Sequence, residues 1–305
     1  MSARSGSQEE RPERIQSAGQ RTQRQPVTLP LLAEKKLRGE PIVMVTAYDL
    51  PSAQAAEEAE VDLVLVGDTA AMTVLGYPST VPVTLDEMLV LTKAARRGIR
   101  TPLLVGDLPF GSYERSHGQA IASAQRLVKE GGCDVLKFEG PSPETARAII
   151  SAGIPVMGHL GLTPQTSTAL GGGFRAQART AAAARRLLDD ARALEAAGCF
   201  ALVLEAVPAA VGGVVTERLR IPTIGIGAGA ATDGQVLVLN DLLGIFEEFR
   251  PRFVKRYAEL RRDMFGAVSA FASEVRGRRF PADEHTYGME REELERFLAS
   301  LDGDG

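Results

Sequence analysis

The chain has 305 residues, of which 44% are hydrophobic and 24% charged, a composition typical of a folded globular protein. Its 35 basic and 39 acidic residues give a net charge of −4, which argues against a general nucleic-acid binder because such proteins present a basic face. The longest apolar stretch, 196–215, is interrupted by Glu205 and Pro208, so we expect a buried strand followed by a turn there and no membrane span.

The N-terminal segment 1–27 is polar and charged and lacks an apolar segment. This pattern predicts a disordered tail rather than a secretory signal. The chain has only two cysteines, too few for a disulfide framework. Buried thiols in a reducing compartment are the simpler interpretation, and we therefore expect a cytoplasmic protein.

Short apolar segments recur along the rest of the chain, and most are followed by helix-like sequence. Most of these segments are apolar throughout rather than alternating, as in parallel strands that are buried on both faces. The predicted strands are 42–46, 63–66, 103–105, 135–138, 155–157, 201–204, 223–226 and 236–239.

The intervening segments have apolar residues at three- and four-residue spacing or are rich in helix formers. They predict helices at 85–97, 119–129, 143–151 and 179–197, the last ending at a Gly198 cap, and further helices at 253–262, 264–276 and 290–301. Eight strand-helix units predict an α/β fold, a (β/α)8 TIM barrel with appended C-terminal helices, whose usual size is about 250 residues. We expect one catalytic domain over 28–287 and a C-terminal extension over 288–305.

Polar residues interrupt the apolar pattern where the predicted strands end. Taken singly, each is more often a cap or a surface turn. In a TIM barrel, however, the carboxyl ends of all strands meet on one face, where catalytic residues come from several strands. Together they predict one pocket. In chain order, the residues are Asp68, Thr69, Asp107, Lys137, Glu139, His159 and Glu205.

Asp68, Asp107 and Glu139 place three carboxylates on neighbouring strand ends. Crowded carboxylates raise one another's energy unless a cation or a shared proton relieves them. Oxygen ligands suit a hard cation such as Mg²⁺, with waters and substrate completing the coordination. The chain has three histidines and no Cys/His pattern with zinc spacing, which argues against a structural zinc site.

The remaining strand-end groups allow more than one interpretation. Lys137 could neutralise a carboxylate, hold a substrate anion or form a Schiff base. His159 could bind a substrate oxygen, or its ring nitrogens could find hydrogen-bond partners within its own turn. Glu205, at the end of a strongly apolar strand, could have a raised pKa and act as a base. The glycine-rich segment 171–177 predicts either a mobile loop over the pocket or a linker without a role.

Nine sequence motifs, most of which include predicted strands or their ends, resemble those of a known family. They are VTAYD (45–49), LVGDTAAMTVLGYPSTVPVTLDEM (65–88), GDLPFGSY (106–113), LKFEG (136–140), PVMGHLGLTPQ (155–165), LVLEAVP (202–208), IPTIGIGAG (221–229), TDGQVLV (232–238) and FPADEHTY (280–287). Over residues 28–287 the chain resembles the ketopantoate hydroxymethyltransferase family. The resemblance implies a (β/α)8 barrel that transfers a hydroxymethyl group from 5,10-methylenetetrahydrofolate to 3-methyl-2-oxobutanoate, giving ketopantoate for pantothenate synthesis.

The resemblance also implies roles for individual residues. Asp68 and Asp107 would hold Mg²⁺, with Glu139 bound to the metal directly or through water. Glu205 would remove the C3 proton of the keto acid. A homo-oligomer, specifically a decamer, is implied as well. The residues that would contact the substrate are Asp68, Thr69, Asp107, Lys137 and His159.

The sequence departs from the usual family pattern at five positions without losing a proposed ligand or the base. These are Thr69 for Ser, Ala71 for Gly, Pro78 for Asp, Ala178 for Gly and Asn240 for His. Two other interpretations stay open. One is a related Mg²⁺-dependent enzyme acting on a carbon–carbon bond of 2-oxo acids, and the other is a paralogue with drifted substrate or without catalysis.

Overall fold

The structure is a computed structural model that describes residues 24–166, 175–247 and 251–301. Its strands are β1 Ile42–Thr46, β2 Leu63–Val66, β3 Leu103–Asp107, β4 Val135–Lys137, β5 Val156–Gly161, β6 Ala201–Glu205, β7 Thr223–Ile226 and β8 Gly234–Leu237. They form a closed parallel barrel in sequence order, with β8 paired to β1. The predicted (β/α)8 barrel is confirmed, and every strand overlaps the segment predicted for it.

The helices surround the barrel or extend from its C-terminal end. They are α1 Leu29–Arg38, α2 Leu50–Glu58, α3 Ala70–Thr73, α4 Leu85–Arg96, α5 His117–Lys129, α6 Pro143–Ser151, α7 Ala181–Ala197, α8 Ala209–Arg218, α9 Leu239–Leu242, α10 Leu260–Arg276 and α11 Arg291–Leu301. Two predictions were wrong. The turn expected after β6 is helix α8, and most of the helix expected over 253–262 is irregular, with α10 beginning only at Leu260.

Capping residues in the sequence set the ends of the helices that surround the barrel. The side chains of Asp49 and Thr84 accept hydrogen bonds from the third residue of α2 and α4, and each forms a capping box with that residue. Ser116 and Thr180 cap α5 and α7 in the same way, without the reciprocal bond. Gly198 ends α7 at φ 102°, which confirms the predicted glycine cap.

Side chains on the inner face of the barrel change from apolar to charged or polar along β3 to β6. One apolar cluster fills the lower interior, and a second lies between strands and helices. Because side chains alternate between the two faces of a strand, every second residue points inward. Val105 is therefore followed inward by Asp107, and Val203 by Glu205. This alternation delivers charged groups to the carboxyl-terminal mouth above a closed apolar floor.

Helix α1 and the residues before it close the amino-terminal end of the barrel. Val27 is buried in the inner cluster, and Lys35 Nζ lies 2.7 Å from Asp62 Oδ2. Lys36 Nζ lies 2.7 Å from Asp233 Oδ2, which ties α1 to the residue before β8. Residues 24–27, the described part of the predicted tail, thus lie against the barrel, while 1–23 fall outside the described residues.

Helices α10 and α11 bury none of their side chains. Phe265 is 74% exposed and Phe297 52%, so both helices present apolar faces. No helix in the described ranges is both long and apolar enough to cross a membrane. Residues 171–174 of the predicted glycine-rich loop and the last four residues, 302–305, lie outside the part that the structure describes.

Candidate active site

The polar groups at the strand ends converge on one cavity at the carboxyl-terminal mouth of the barrel. Six of the seven side chains singled out from the sequence line it, namely Asp68, Thr69, Lys137, Glu139, His159 and Glu205. The seventh, Asp107, lies next to the cavity wall and is 1% exposed. The barrel therefore brings all seven into one neighbourhood, as parallel strands of matched length do.

Lys137 and Asp107 are register partners on β4 and β3, and both point inward. Lys137 Nζ lies 2.7 Å from Asp107 Oδ1. Burial alone would lower the pKa of Lys137, but the carboxylates of Asp107 and Glu139 raise it above its ordinary value. Lys137 is therefore an ammonium that compensates buried carboxylates. A Schiff base would need the neutral amine, so this geometry favours the ionic interpretation of Lys137.

His159 is a neutral imidazole in the second half of β5. Burial, reinforced by the nearby Lys137 ammonium, holds the pKa of His159 well below its usual value. Lys137 Nζ lies 3.3 Å from His159 Nδ1, and since an ammonium can only donate, Nδ1 is the accepting nitrogen. The hydrogen is therefore on Nε2, which lies 3.3 Å from Glu205 Oε2 without the alignment of a hydrogen bond.

Glu205 is the last residue of β6 and its carboxyl group faces the cavity. Burial raises its pKa to about 7. The backbone around it is tightly fixed, because Ala206 turns the chain at φ 48° and Gly161 lies directly alongside. A Cβ on Gly161 would come 2.2 Å from the carbonyl oxygen of Glu205. Glu205 is thus a carboxyl group with a pKa near neutrality that is held in a fixed position.

The donor set at Asp68 and Asp107 fits a hard divalent cation. Burial, with the Asp107 charge next to it, raises the pKa of Asp68 to about 7 even though the nearby Lys137 ammonium lowers it. Asp107 Oδ2 accepts from the Asp68 backbone N–H at 3.1 Å, while its buried Oδ1 has no aligned hydrogen-bond donor among the described residues.

The described residues do not bring three His, Cys, Asp or Glu side chains into a ready-made metal cluster. The carboxylate of Glu139 is instead engaged by a backbone N–H, that of Gln165, at 3.0 Å. Mg²⁺ is commonly held by one or two carboxylates, with waters and substrate oxygens as its other ligands. Asp68 and Asp107 could supply such a pair, and Glu139 lies next to it.

The sequence matches the family model described as ketopantoate hydroxymethyltransferase over residues 26–283. The chain belongs to the ketopantoate hydroxymethyltransferase family. It is accordingly an enzyme, a hydroxymethyltransferase. The seven strand-end residues described above all lie within the matched range.

Proteins named 3-methyl-2-oxobutanoate hydroxymethyltransferase are similar to this chain over most of their length. The one from Moorella thermoacetica is 54% identical, covering 87% of this chain and 99% of its own. The one from Oleidesulfovibrio alaskensis is 53% identical, and the similarity covers 86% of this chain and 91% of that protein. A mitochondrial protein of the same name from Arabidopsis thaliana is 49% identical, with 91% and 82% covered.

Solved structures with the same fold are much more distant in sequence. Phosphonopyruvate hydrolase superposes with a TM-score of 0.55 at 13% identity, covering 91% of this chain and 95% of its own. For 2,3-dimethylmalate lyase, a member of the PEP mutase/isocitrate lyase superfamily, the TM-score is 0.54 at 14% identity, with 90% and 97% covered. These similarities place the barrel among those folds and establish the architecture alone.

Several residues of the ketopantoate hydroxymethyltransferase site were missed by sequence reasoning. Gln165 lies on a short 3-10 turn after β5 and is 3% exposed. Asp241 and Phe253, from the segment after β8, line the cavity, and burial raises the pKa of Asp241 to about 6. The only signal for Gln165 was its position at the end of the motif PVMGHLGLTPQ.

The structure explains part of the departures from the family pattern. Ala178 has φ 54°, the left-handed region that favours glycine, which is the residue the family usually has there. Asn240 donates from Nδ2 to the Thr73 carbonyl at 3.2 Å, joining α9 to α3. Thr69 lines the cavity with its side chain not used as a helix cap. Nothing in the structure explains Pro78.

Proposed function

We propose that the protein transfers a hydroxymethyl group from 5,10-methylenetetrahydrofolate to 3-methyl-2-oxobutanoate and so forms ketopantoate, the precursor of pantothenate. The full-length relatives at about 50% identity carry the name of this acceptor. In the reaction, the C3–H bond of the keto acid breaks and C3 bonds to the folate methylene carbon. That carbon leaves both folate nitrogens, and water supplies its hydroxyl oxygen.

The observation that carries this proposal is the position of Glu205 in the cavity. Glu205 takes the C3 proton, since a base with a pKa of about 7 is matched to proton transfer near neutral pH. The Nε2–H of His159, 3.3 Å from the base, is placed to donate to a substrate oxygen. Lys137 supplies positive charge to the carboxylate side of the cavity and offsets the negative charge of the substrate.

Asp68 and Asp107 hold Mg²⁺ in this proposal, with Glu139 next to the metal. The cation, when bound, polarises the keto carbonyl as a Lewis acid and thereby acidifies the neighbouring C3–H. The base then has to lie near C3 and not on the metal, which agrees with the separate position of Glu205 at the end of β6. Thr69, on the cavity wall, contacts the substrate through its hydroxyl group.

The test separates enolisation from one-carbon transfer. The protein is incubated with 3-methyl-2-oxobutanoate and Mg²⁺ in deuterated water, and loss of the C3 proton is followed by NMR. We expect exchange with the parent protein and none above background with Glu205→Gln. Glu58→Gln makes the same chemical change on the exposed surface of α2 and should exchange like the parent.

Adding 5,10-methylenetetrahydrofolate then distinguishes the transferase from a related enzyme acting on 2-oxo acids. Only the transferase yields ketopantoate. A parent protein that exchanges C3 but forms no ketopantoate would contradict the folate step. Exchange that persists in Glu205→Gln would contradict the assigned base.

We further propose a cytoplasmic homo-oligomer built from copies of this chain. The two cysteines are free and buried, which is compatible with a reducing compartment. The large apolar side chains of α10 and α11 stay exposed, although Phe271 packs against Phe280, and Val43 on β1 is 50% exposed on the outside of the barrel. Contact between copies would cover both surfaces, and the decamer is the assembly that we propose.

A further inference from the structure

One buried residue, Gln165, contacts the carboxylates of both Asp68 and Glu139. Gln165 Nε2 donates to Asp68 Oδ2 at 2.9 Å and to the carbonyl of Leu108 at 2.9 Å. Its backbone N–H donates to Glu139 Oε2 at 3.0 Å. The residue therefore contacts one carboxylate after β2 and another after β4, with a barrel strand between them.

The orientation of this amide is determined by its neighbours. The Leu108 carbonyl can only accept, so the NH₂ group of Gln165 must face it and Asp68. Tyr113 supplies the matching donor on the other side, its hydroxyl lying 2.6 Å from Gln165 Oε1. Tyr113 is itself 6% exposed, and its ring packs 5.5 Å from that of Phe138. The amide consequently has one orientation that satisfies all three of its side-chain bonds.

These bonds leave each carboxylate with one engaged and one available oxygen. Asp68 Oδ2 and Glu139 Oε2 are bound by Gln165, whereas Asp68 Oδ1 has no hydrogen-bond partner within the described parts of the chain. Glu139 Oε1 lies 3.6 Å from His159 Nδ1. Without Gln165, the Asp68 and Glu139 carboxylates would face each other with fewer compensating donors and could rotate about their side-chain torsions.

We propose that Gln165 is a positioning residue that fixes the rotation of the Asp68 carboxylate, so that Oδ1 faces the site of the divalent cation. This inference rests on the proposed function, because it assigns Asp68 to Mg²⁺. Gln165 acts through Asp68 and does not touch the reacting atoms. Residues that hold a metal ligand in this way typically contribute about 10- to 100-fold to metal affinity.

The test measures binding of Mn²⁺, a paramagnetic probe for oxygen-ligand Mg²⁺ sites, to the full chain by electron paramagnetic resonance without substrate. Gln165→Met keeps the length of the side chain and removes the amide, and we expect it to bind Mn²⁺ about 10- to 100-fold more weakly than the parent. C3 exchange by this variant should require correspondingly more Mg²⁺ and should recover most of its rate at saturation. A general loss of packing would lower the rate without such recovery.

Tyr113→Phe is the second variant, in case Gln165→Met does not fold. It removes the hydroxyl that bonds Gln165 Oε1 and also lies 3.2 Å from the Glu139 carbonyl oxygen, and it should weaken Mn²⁺ binding by about 3- to 10-fold. Gln235→Met is the matched control, since Gln235 bonds Gly229 and Thr232 outside the cavity and should leave Mn²⁺ binding unchanged.

The results separate this inference from the function on which it depends. If the parent binds Mn²⁺ and exchanges C3, while Gln165→Met and Tyr113→Phe bind Mn²⁺ within twofold of it, the inference is overturned and the function stands. If the parent binds no Mn²⁺, the metal assignment and the inference both fail. The inference is supported if either folded variant binds Mn²⁺ more weakly than the parent and recovers its rate of C3 exchange in excess Mg²⁺.

Discussion

His159 Nε2 and Glu205 Oε2 lie 3.3 Å apart across the β5–β6 edge of the barrel. The histidine is held neutral and the carboxyl group has a pKa of about 7. The pair therefore offers a hydrogen-bond donor and a proton acceptor side by side, and the state of the acceptor changes within the physiological pH range.

C3 exchange should depend on pH through Glu205. Because the base acts in its deprotonated form, we expect the rate at saturating Mg²⁺ to rise about tenfold per pH unit below pH 7 and to level off above it. The pH profile is measured by NMR exchange between pH 5.5 and 9. A profile that is flat from pH 5.5 to 8 would contradict the assignment. Glu58→Gln should keep the profile of the parent.

Removing the buried ammonium should destabilise the fold. Lys137→Met leaves Asp107 and its neighbours without their cation, and loss of one partner of a buried pair costs about 3–5 kcal/mol. The free energy of unfolding is measured in urea at pH 8, where the carboxyl groups with a pKa of about 7 are largely ionised. Lys93→Met is the control. It removes the ion pair between Lys93 and Glu130, whose side chains are 43% and 41% exposed, and should cost less than about 1 kcal/mol.

The strain at Ala178 should be relieved by the residue that the family usually has. Ala178→Gly removes the Cβ penalty of the left-handed conformation and adds flexibility to the unfolded chain, so we expect a net gain of about 0.5–1 kcal/mol. Ala196→Gly, on the exposed side of α7, should instead lose about 0.5–1 kcal/mol. Equal destabilisation by both changes in urea unfolding would rule out strain at position 178.

Metal dependence should reside in Asp68. EDTA should abolish C3 exchange by the parent, and Mg²⁺ should restore it. Asp68→Asn keeps the size of the side chain but removes a charged ligand, and we expect the Mg²⁺ concentration for half-maximal exchange to rise by more than about 100-fold. Unchanged exchange after EDTA treatment, together with an unaffected Asp68→Asn variant, would exclude this assignment.

The apolar face of α10 should carry the contact between copies. Phe265→Glu places a charge on that face, where Phe265 is 74% exposed, and should reduce the assembly mass measured by light scattering. Leu37→Glu makes the same change at an isolated residue of α1 that is 87% exposed and should leave the mass unchanged. A parent protein that is already monomeric at micromolar concentration would contradict the proposed oligomer.

The barrel could be predicted because most of its strands, β2 to β7, are buried on both faces. Such strands are almost entirely apolar, so the sequence marks them without ambiguity, and the polar residues that end them mark the mouth. Helix α8 was missed because Pro208 interrupts the apolar stretch and indicates a turn, whereas it is the N-cap residue of α8, and the helix itself contains Gly212 and Gly213. In the structure Gly212 permits close packing, since a Cβ there would meet the carbonyl oxygen of Ala228 at 2.4 Å.

The parts of the site that could not be predicted depend on contacts between distant segments. The helix expected over 253–262 has suitable apolar residues, but Phe253 uses its ring to pack against Gly227 at the barrel mouth. Tyr257 N donates to the Leu242 carbonyl, which replaces a helical hydrogen bond. Gln165 meets Asp68 across 97 residues, and no local periodicity marks such a pairing.

The link between Lys36 and Asp233 joins groups 197 residues apart, next to the β1–β8 seam. During synthesis, β1 and α1 leave the ribosome long before their partner strand exists. Until Gly234–Leu237 arrives, β1 has an unpaired edge, a condition that favours association with other chains. Closure between β1 and β8 therefore has to await the synthesis of Gly234–Leu237, and an interrupted nascent chain exposes the β1 edge to association with other chains.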